Sequence, residues 1–241
     1  MRTLAVLLVV ALVAGCAAGP APLTPSPEIS PNFAVPDTRE RMVYLARQEW
    51  ELFGSPVVTY DASGEGRVQF PAGSFPTHEV QPPMLSRVML YWYSVTRLPI
   101  VGEQGELRPW SAAFISWLAR GAGLAPSQFP ATVLHWDYIE RFLGAQDGAR
   151  FVTRDPRAYA PRVGDLVCVS RSNGVTDFAT LRRGPYHCDL VVSAGATEIE
   201  AVGGNVGDAV ALARFEVDER GVLRPRADRP WVAVIEQRDA P

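Results

Sequence analysis

Pro109-Trp110-Ser111-Ala112-Ala113-Phe114-Ile115-Ser116-Trp117 decides how the rest of this chain is read. Phe114, Ile115, Trp117 and Leu118 recur at helical spacing, so the stretch predicts a helix from Trp110 to Gly121 with an apolar inner face and a serine at its start. Serine there has two readings. It is either an N-cap, whose hydroxyl accepts a backbone N–H, or a nucleophile sited where unpaired N–H groups and the positive dipole end favour developing negative charge. A nucleophile also needs a base within hydrogen-bond reach and a group that orients the base.

Upstream, Asp37-Thr38-Arg39-Glu40 has the form of a capping box, and Met42, Leu45, Ala46, Trp50 and Phe53 follow at helical spacing until Gly54. Residues 55–82 are rich in proline and glycine and predict a long irregular loop. A second helix is expected from Leu85 to Val95, with Tyr91, Trp92 and Tyr93 as core, and another from Ala131 to Leu143, ended by Gly144. Beyond it the chain turns to short apolar or alternating runs. Strands are expected over Asp165–Ser170, His187–Ser193, Thr197–Val202, Val210–Val217 and Trp231–Gln237. Helices first and strands second predict an α+β fold, with the N-terminal helices packed on a mainly antiparallel sheet.

The bulk properties narrow the function. Arg2 precedes an apolar run, Leu4 to Val13, that is too short for a permanent span and reads as a signal peptide over 1–15. Val13-Ala14-Gly15-Cys16 is a lipobox, so Cys16 is expected to be the acylated first residue of a lipoprotein. Residues 16–36 then form a proline-rich tether, and 37–241 one domain. Ala17 after Cys16 favours the outer membrane, with the domain facing the periplasm. The formal charge of −3 and the lack of a basic stripe argue against nucleic acid as a partner. All 23 basic residues are arginine, which excludes Schiff-base, pyridoxal-phosphate and P-loop lysine chemistry. Cys168 and Cys188 fall on expected neighbouring strands, as either a cross-strand disulfide or two buried thiols. Two cysteines do not make a structural zinc site, and no HExxH or paired-histidine spacing supports a metal hydrolase; no metal and no cofactor is expected.

Several strings together resemble a known superfamily. Trp110-Ser111-Ala112-Ala113-Phe114-Ile115-Ser116-Trp117 is similar to the Trp-Cys-Ala-Ala-Phe-Val-x-Trp string of CHAP- and NlpC-type cell-wall amidases, with serine in the cysteine's place. Val163-Gly164-Asp165-Leu166-Val167 resembles the Gly-Asp-Leu strand of those domains. His187-Cys188-Asp189-Leu190-Val191-Val192 resembles their histidine strand, and Gly203-Gly204-Asn205-Val206 their Gly-Gly-Asn turn. With Glu49-Trp50, Tyr91-Trp92 and His135, the strings look closest to an uncharacterised bacterial family related to those enzymes.

The resemblance implies a papain-like amidase fold and a site brought together across the 76-residue separation of Ser111 and His187. Ser111 would be the nucleophile and His187 the base. Asn205, Glu200 or Asp189 would orient the imidazole, strand alternation placing Asp189 on the face of His187. Trp110, His135, Tyr138 and Glu200 are the candidate substrate contacts, and His78 reads as a solvated bystander. The expected partner is peptidoglycan or its wall peptides, met by a monomer held at the membrane by its lipid. Two other outcomes stay open: a catalytically inactive domain that binds wall peptides or a protein, and a hydrolase of esters or lipids.

Overall fold

The computed structural model describes residues 37–60, 66–146, 148–171, 177–226 and 229–238. The signal peptide, Cys16 and the tether expected over 1–36 lie outside the described residues. Helix α1 (Thr38–Leu52) starts at the expected capping box: Asp37 Oδ1 accepts the Glu40 N–H at 2.8 Å and Glu40 Oε2 accepts the Asp37 N–H at 2.9 Å. Gly54, at φ 85°, turns the chain away in the left-handed conformation that a missing Cβ permits.

Helices α2 (Met84–Val95) and α3 (Ser111–Gly121) pack on each other, and α1 packs on α3. Tyr91 sits at the centre of this contact, with ring centroids 5.6, 5.2 and 5.0 Å from Trp110, Phe114 and Trp117. Its hydroxyl donates to the buried Glu49 carboxylate, which also takes two N–H bonds from Arg87, so one carboxylate ties α1 to α2. The aromatics of α2 at Tyr91 and Trp92 are core, as expected, while Tyr93 is exposed.

Helix α4 (His135–Phe142) begins four residues later than the periodicity suggested. Thr132 is the reason. Its Oγ1 accepts the Leu134 N–H at 3.1 Å and donates to Asp137, while Ser116 Oγ donates to the carbonyls of Pro130 and Thr132 at 3.2 and 3.0 Å. These side-chain bonds hold the approach to α4 outside the helix.

The strands are β1 (Val57–Tyr60), β2 (Gly66–Gln69), β3 (Phe151–Arg154), β4 (Leu166–Ser170), β5 (Tyr186–Ala194), β6 (Glu198–Val206), β7 (Ala209–Glu216) and β8 (Trp231–Gln237). They form one eight-stranded sheet in the order β2-β1-β7-β6-β5-β4-β8-β3. The β1–β7 pair is parallel and the other pairs are antiparallel, so the α+β class holds and the sheet is mixed. The region expected to be an irregular loop contains β1 and β2, and β3 is also additional. Each has four residues, too few for a period of two to stand out among prolines and glycines.

One face of the sheet packs under the helices. Leu166, Cys168, Leu190, Val202 and Val232 join Phe114, Leu118, Tyr138 and Ile139 in the larger core. The other face builds a second apolar cluster that includes Val167, Val191, Ala201, Ala213 and Val234. That cluster is enclosed by curling of the sheet. Phe215 of β7 and Trp231 of β8 pack at 4.8 Å, although β6, β5 and β4 separate their strands. Alternation along β5 sends Tyr186, Cys188 and Leu190 to the helices and leaves His187 and Asp189 in the set that includes Val191. No helix among the described residues is long and apolar enough to cross a membrane.

Candidate functional site

Ser111 is the first residue of α3 and does not cap it. The N-cap is Trp110, with no side-chain cap bond, and the Ser111 hydroxyl is committed elsewhere. Ser111 Oγ lies 2.7 Å from His135 Nε2, in a site where Ser111 is 4% and His135 6% exposed. His135 is the first residue of α4, and Tyr138, one turn on, places its hydroxyl on His135 Nδ1. Two helix N-termini therefore supply a continuous Ser111–His135–Tyr138 chain. Burial, then the His187 ring and the Arg171 guanidinium, hold the His135 imidazole well below its ordinary pKa, so it is neutral near pH 7. Burial, with Asp189 and Asp137 adding, keeps the Tyr138 phenol well above its usual value and protonated.

His187 is placed differently. It is fully buried on β5, with its ring centroid 5.4 Å from that of His135. Its Nδ1 lies 3.2 Å from an Arg171 N–H nitrogen and its Nε2 2.6 Å from Asp189 Oδ1. An arginine can only donate, so Nδ1 accepts, and the ring proton sits on Nε2 and goes to Asp189. Both nitrogens are used. No lone pair is left for a serine proton in this arrangement, and Ser111, expected to meet His187, meets His135 instead. His135, expected as a substrate contact, is the imidazole within hydrogen-bond reach of Ser111. Asp189 does share the face of His187 and binds it, yet the histidine it orients is not the one on Ser111. Burial alone would raise the Asp189 pKa, but His187, Arg229 and Arg171 hold it below the usual aspartate value.

Asn205 does not reach an imidazole among the described contacts. Its Nδ2 donates to Glu79 Oε2 at 3.0 Å, and the Trp110 indole donates to the same oxygen at 2.6 Å. Glu79 thus fastens the residue before the nucleophile position to the β6–β7 turn, where its own N–H meets the Asp208 carbonyl at 2.8 Å. Burial is the main reason its carboxyl titrates above the usual glutamate range. Trp110 is fully buried and is a packing residue of this junction rather than an open contact surface. Glu200 lies outside the site altogether, paired across strands with Arg214 at 3.1 Å. His78 is exposed, edge-on to Phe70.

The two glycines of Gly203-Gly204 explain why the site closes so tightly. A Cβ on Gly203 would stand 1.8 Å from Asp189 Oδ1 and 3.1 Å from His187 Nε2; one on Gly204 would stand 2.7 Å from Phe114 and Trp110. Sheet and helix can approach only where both side chains are missing. Cys168 and Cys188 face each other across β4 and β5 and form a disulfide. That bond staples the strand leading to Arg171 to the strand carrying His187.

Glu79 and Arg171 were not identified from the sequence. Glu79 sits in a proline-rich loop with no periodic signal, and Arg171 is one of 23 arginines. Among the described residues no group of three or more histidine, cysteine, aspartate or glutamate side chains is placed to hold a metal ion. No curated protein and no solved structure matches the chain. A family model does match, over residues 87–236, the span that holds Ser111, His135, Arg171, His187 and Asp189. On that match, which covers more than half of its length, the chain belongs to the family described as "Uncharacterized protein conserved in bacteria (DUF2272)".

Proposed function

We propose that this domain is a serine-dependent acyl hydrolase on a papain-like amidase core, acting on amide bonds of peptidoglycan, with His135 rather than His187 as the base. The observation that carries the reading is the 2.7 Å contact from Ser111 Oγ to His135 Nε2 at the start of a helix. In the productive tautomer His135 keeps its proton on Nδ1, donates it to the Tyr138 oxygen and presents a lone pair to Ser111. As Oγ bonds to the acyl carbon, its proton passes to Nε2, and the oxyanion faces the backbone N–H groups at the start of α3. Collapse breaks the bond to the leaving amine or alcohol, which takes the proton from Nε2. Water then attacks the acyl-serine through the same nitrogen, freeing the acid and restoring the serine.

The missing carboxylate has a cost. A neutral phenol stabilises the imidazolium less than an aspartate would, and Tyr138 can also donate to Nδ1, leaving an Nε2–H that blocks proton uptake from Ser111. The expected enzyme is slow, and faster on esters than on amides. The lipobox and the tether support work at the cell envelope, on the wall side of a membrane.

A second reading draws on the burial of Ser111 and on that alternative tautomer: a domain that binds wall peptides without cutting them. One experiment separates the two. The protein and its Ser111→Ala form are incubated with purified peptidoglycan and with an activated ester, and products are identified by mass spectrometry. Products from the wild type alone support the hydrolase and name the bond. Intact substrates with retained peptidoglycan binding support the second reading.

A further inference from the structure

Helix α3 carries Ser111 at its first position, yet no capping side chain holds its start. Trp110, the N-cap, has φ −104° and ψ 5°, outside the extended conformation usual there. Its carbonyl accepts the first helical bond, from the Phe114 N–H at 3.0 Å. What fixes this residue is its indole. The ring is fully buried among Phe53, Tyr91 and Phe114, at centroid distances of 6.3, 5.6 and 6.4 Å. Its Nε1–H donates to Glu79 Oε2 at 2.6 Å.

Glu79 is in turn held twice by the β6–β7 hairpin. Asn205 Nδ2 donates to the same Oε2 at 3.0 Å, and the Glu79 N–H donates to the Asp208 carbonyl at 2.8 Å. Asn205 and Asp208 are also the two non-glycine residues of this hairpin with positive φ, 57° and 61°. That conformation costs free energy in an L-residue and persists where the surroundings over-determine it. Contacts to both residues converge on one glutamate. Gly204, beside Asn205, lets the strand come up against the helix: a Cβ there would meet Trp110 and Phe114 at 2.7 Å.

We propose that Glu79 and Asn205 form a positioning relay for the Ser111 site. Through the Trp110 indole they fix the start of α3, and so aim the Ser111 hydroxyl at His135 and the first backbone N–H groups at the oxyanion. Both act through Trp110 and not on the substrate. The Gly203-Gly204-Asn205 turn thereby has a part in the site other than orienting an imidazole. One carboxylate oxygen takes both N–H groups, and a charged acceptor holds them more firmly than a neutral one. Ser111 is the residue next to Trp110, so a shift of the indole passes straight to it. A misplacement of about 1 Å at a reacting group costs on the order of 10²-fold in rate.

The relay rests on the hydrolase reading, and its test separates the failure of each. The full chain in detergent is assayed for kcat and KM on 4-nitrophenyl butyrate. The Trp110 indole N–H is followed in nitrogen–proton correlation spectra, with Trp110→Phe to assign it. Glu79→Ala is expected to lower kcat about tenfold or more, to leave KM within about twofold, and to move the indole resonance. Glu79→Gln, whose amide oxygen can accept both bonds, restores kcat to within about threefold of the wild type and keeps the resonance near its native position. Asn205→Gly keeps the left-handed backbone, removes the amide and lowers kcat by a smaller factor. Added to Glu79→Ala it costs nothing more, because the two side chains act through one bond. Should Glu79→Ala not fold, Asn205→Gly carries the comparison. Equal kcat in the wild type, Glu79→Ala and Asn205→Gly overturns the relay and leaves the hydrolase. A loss in Glu79→Gln as deep as in Glu79→Ala does the same. No turnover by the wild type overturns the hydrolase, and the relay with it.

Discussion

The molecule holds two histidines with touching environments and opposite situations. His135, at the start of α4, has a serine on one nitrogen and a phenol on the other. His187, on β5, has a guanidinium on one and a carboxylate on the other. The phenol can give or take a proton, so the helix-borne ring keeps a choice of tautomer. The arginine can only give, so the strand-borne ring has none. A histidine with a carboxylate partner looks more like a catalytic one, yet the second nitrogen of His187 already holds an arginine.

The contrast is most exposed to test by removing each ring. His135→Ala should cut acylation of Ser111 about 10³-fold, the usual scale for losing a positioned base, with a modest change in stability. His187→Ala should do the reverse in kind. It strands a buried Asp189 and is expected to lower unfolding free energy by about 3 kcal/mol, read from urea unfolding.

The staple under the strand-borne group gives a comparable figure. Its half-cystines are 20 residues apart in the chain, and reduction is expected to cost about 3 kcal/mol through loop-closure entropy, measured as a fall in Tm with reductant.

Two buried aspartates sharpen the picture with opposite signs. Asp189 is held below its unfolded pKa, so its contribution is present above about pH 4 and is lost as the pH falls through its lowered folded value. Asp165 is raised to about 6, chiefly by burial, despite bonds from Tyr159, Arg162 and the Gln237 N–H. Its contribution is present below about pH 4 and lost as the pH rises through 6. Asp165→Asn should flatten the stability profile across that window by about 3 kcal/mol, as followed by thermal melts at stepped pH. The smallest effect belongs to the exposed pair of Glu200 and Arg214. Glu200→Gln should change stability by less than about 0.5 kcal/mol and leave ester turnover unaltered.

Much of the fold was legible because its signals are local. The capping box at Asp37, the Phe114–Leu118 periodicity and the β5 and β8 apolar runs each announce an element within a few residues. The four-residue strands β1, β2 and β3 have no such signal and exist through their partners. For the site, the chain gave up its members but not their pairings. Ser111, His135, Tyr138, His187 and Asp189 were all singled out, and alternation correctly put Asp189 with His187. What tells the two rings apart is the arginine on the far nitrogen of His187 and the late start of α4, which makes His135 its first residue. Both depend on tertiary contacts, Arg171 with β5 and Thr132 with Ser116, that no spacing encodes.

The most direct test of the account is covalent labelling of Ser111 by a fluorophosphonate, followed by intact mass and peptide mapping, in the wild type, His135→Ala and His187→Asn. The account predicts one adduct on Ser111 in the wild type, none in His135→Ala, and an adduct still formed by His187→Asn molecules that remain folded by circular dichroism. Labelling that survives in His135→Ala but vanishes from folded His187→Asn would contradict it and return the base to the strand.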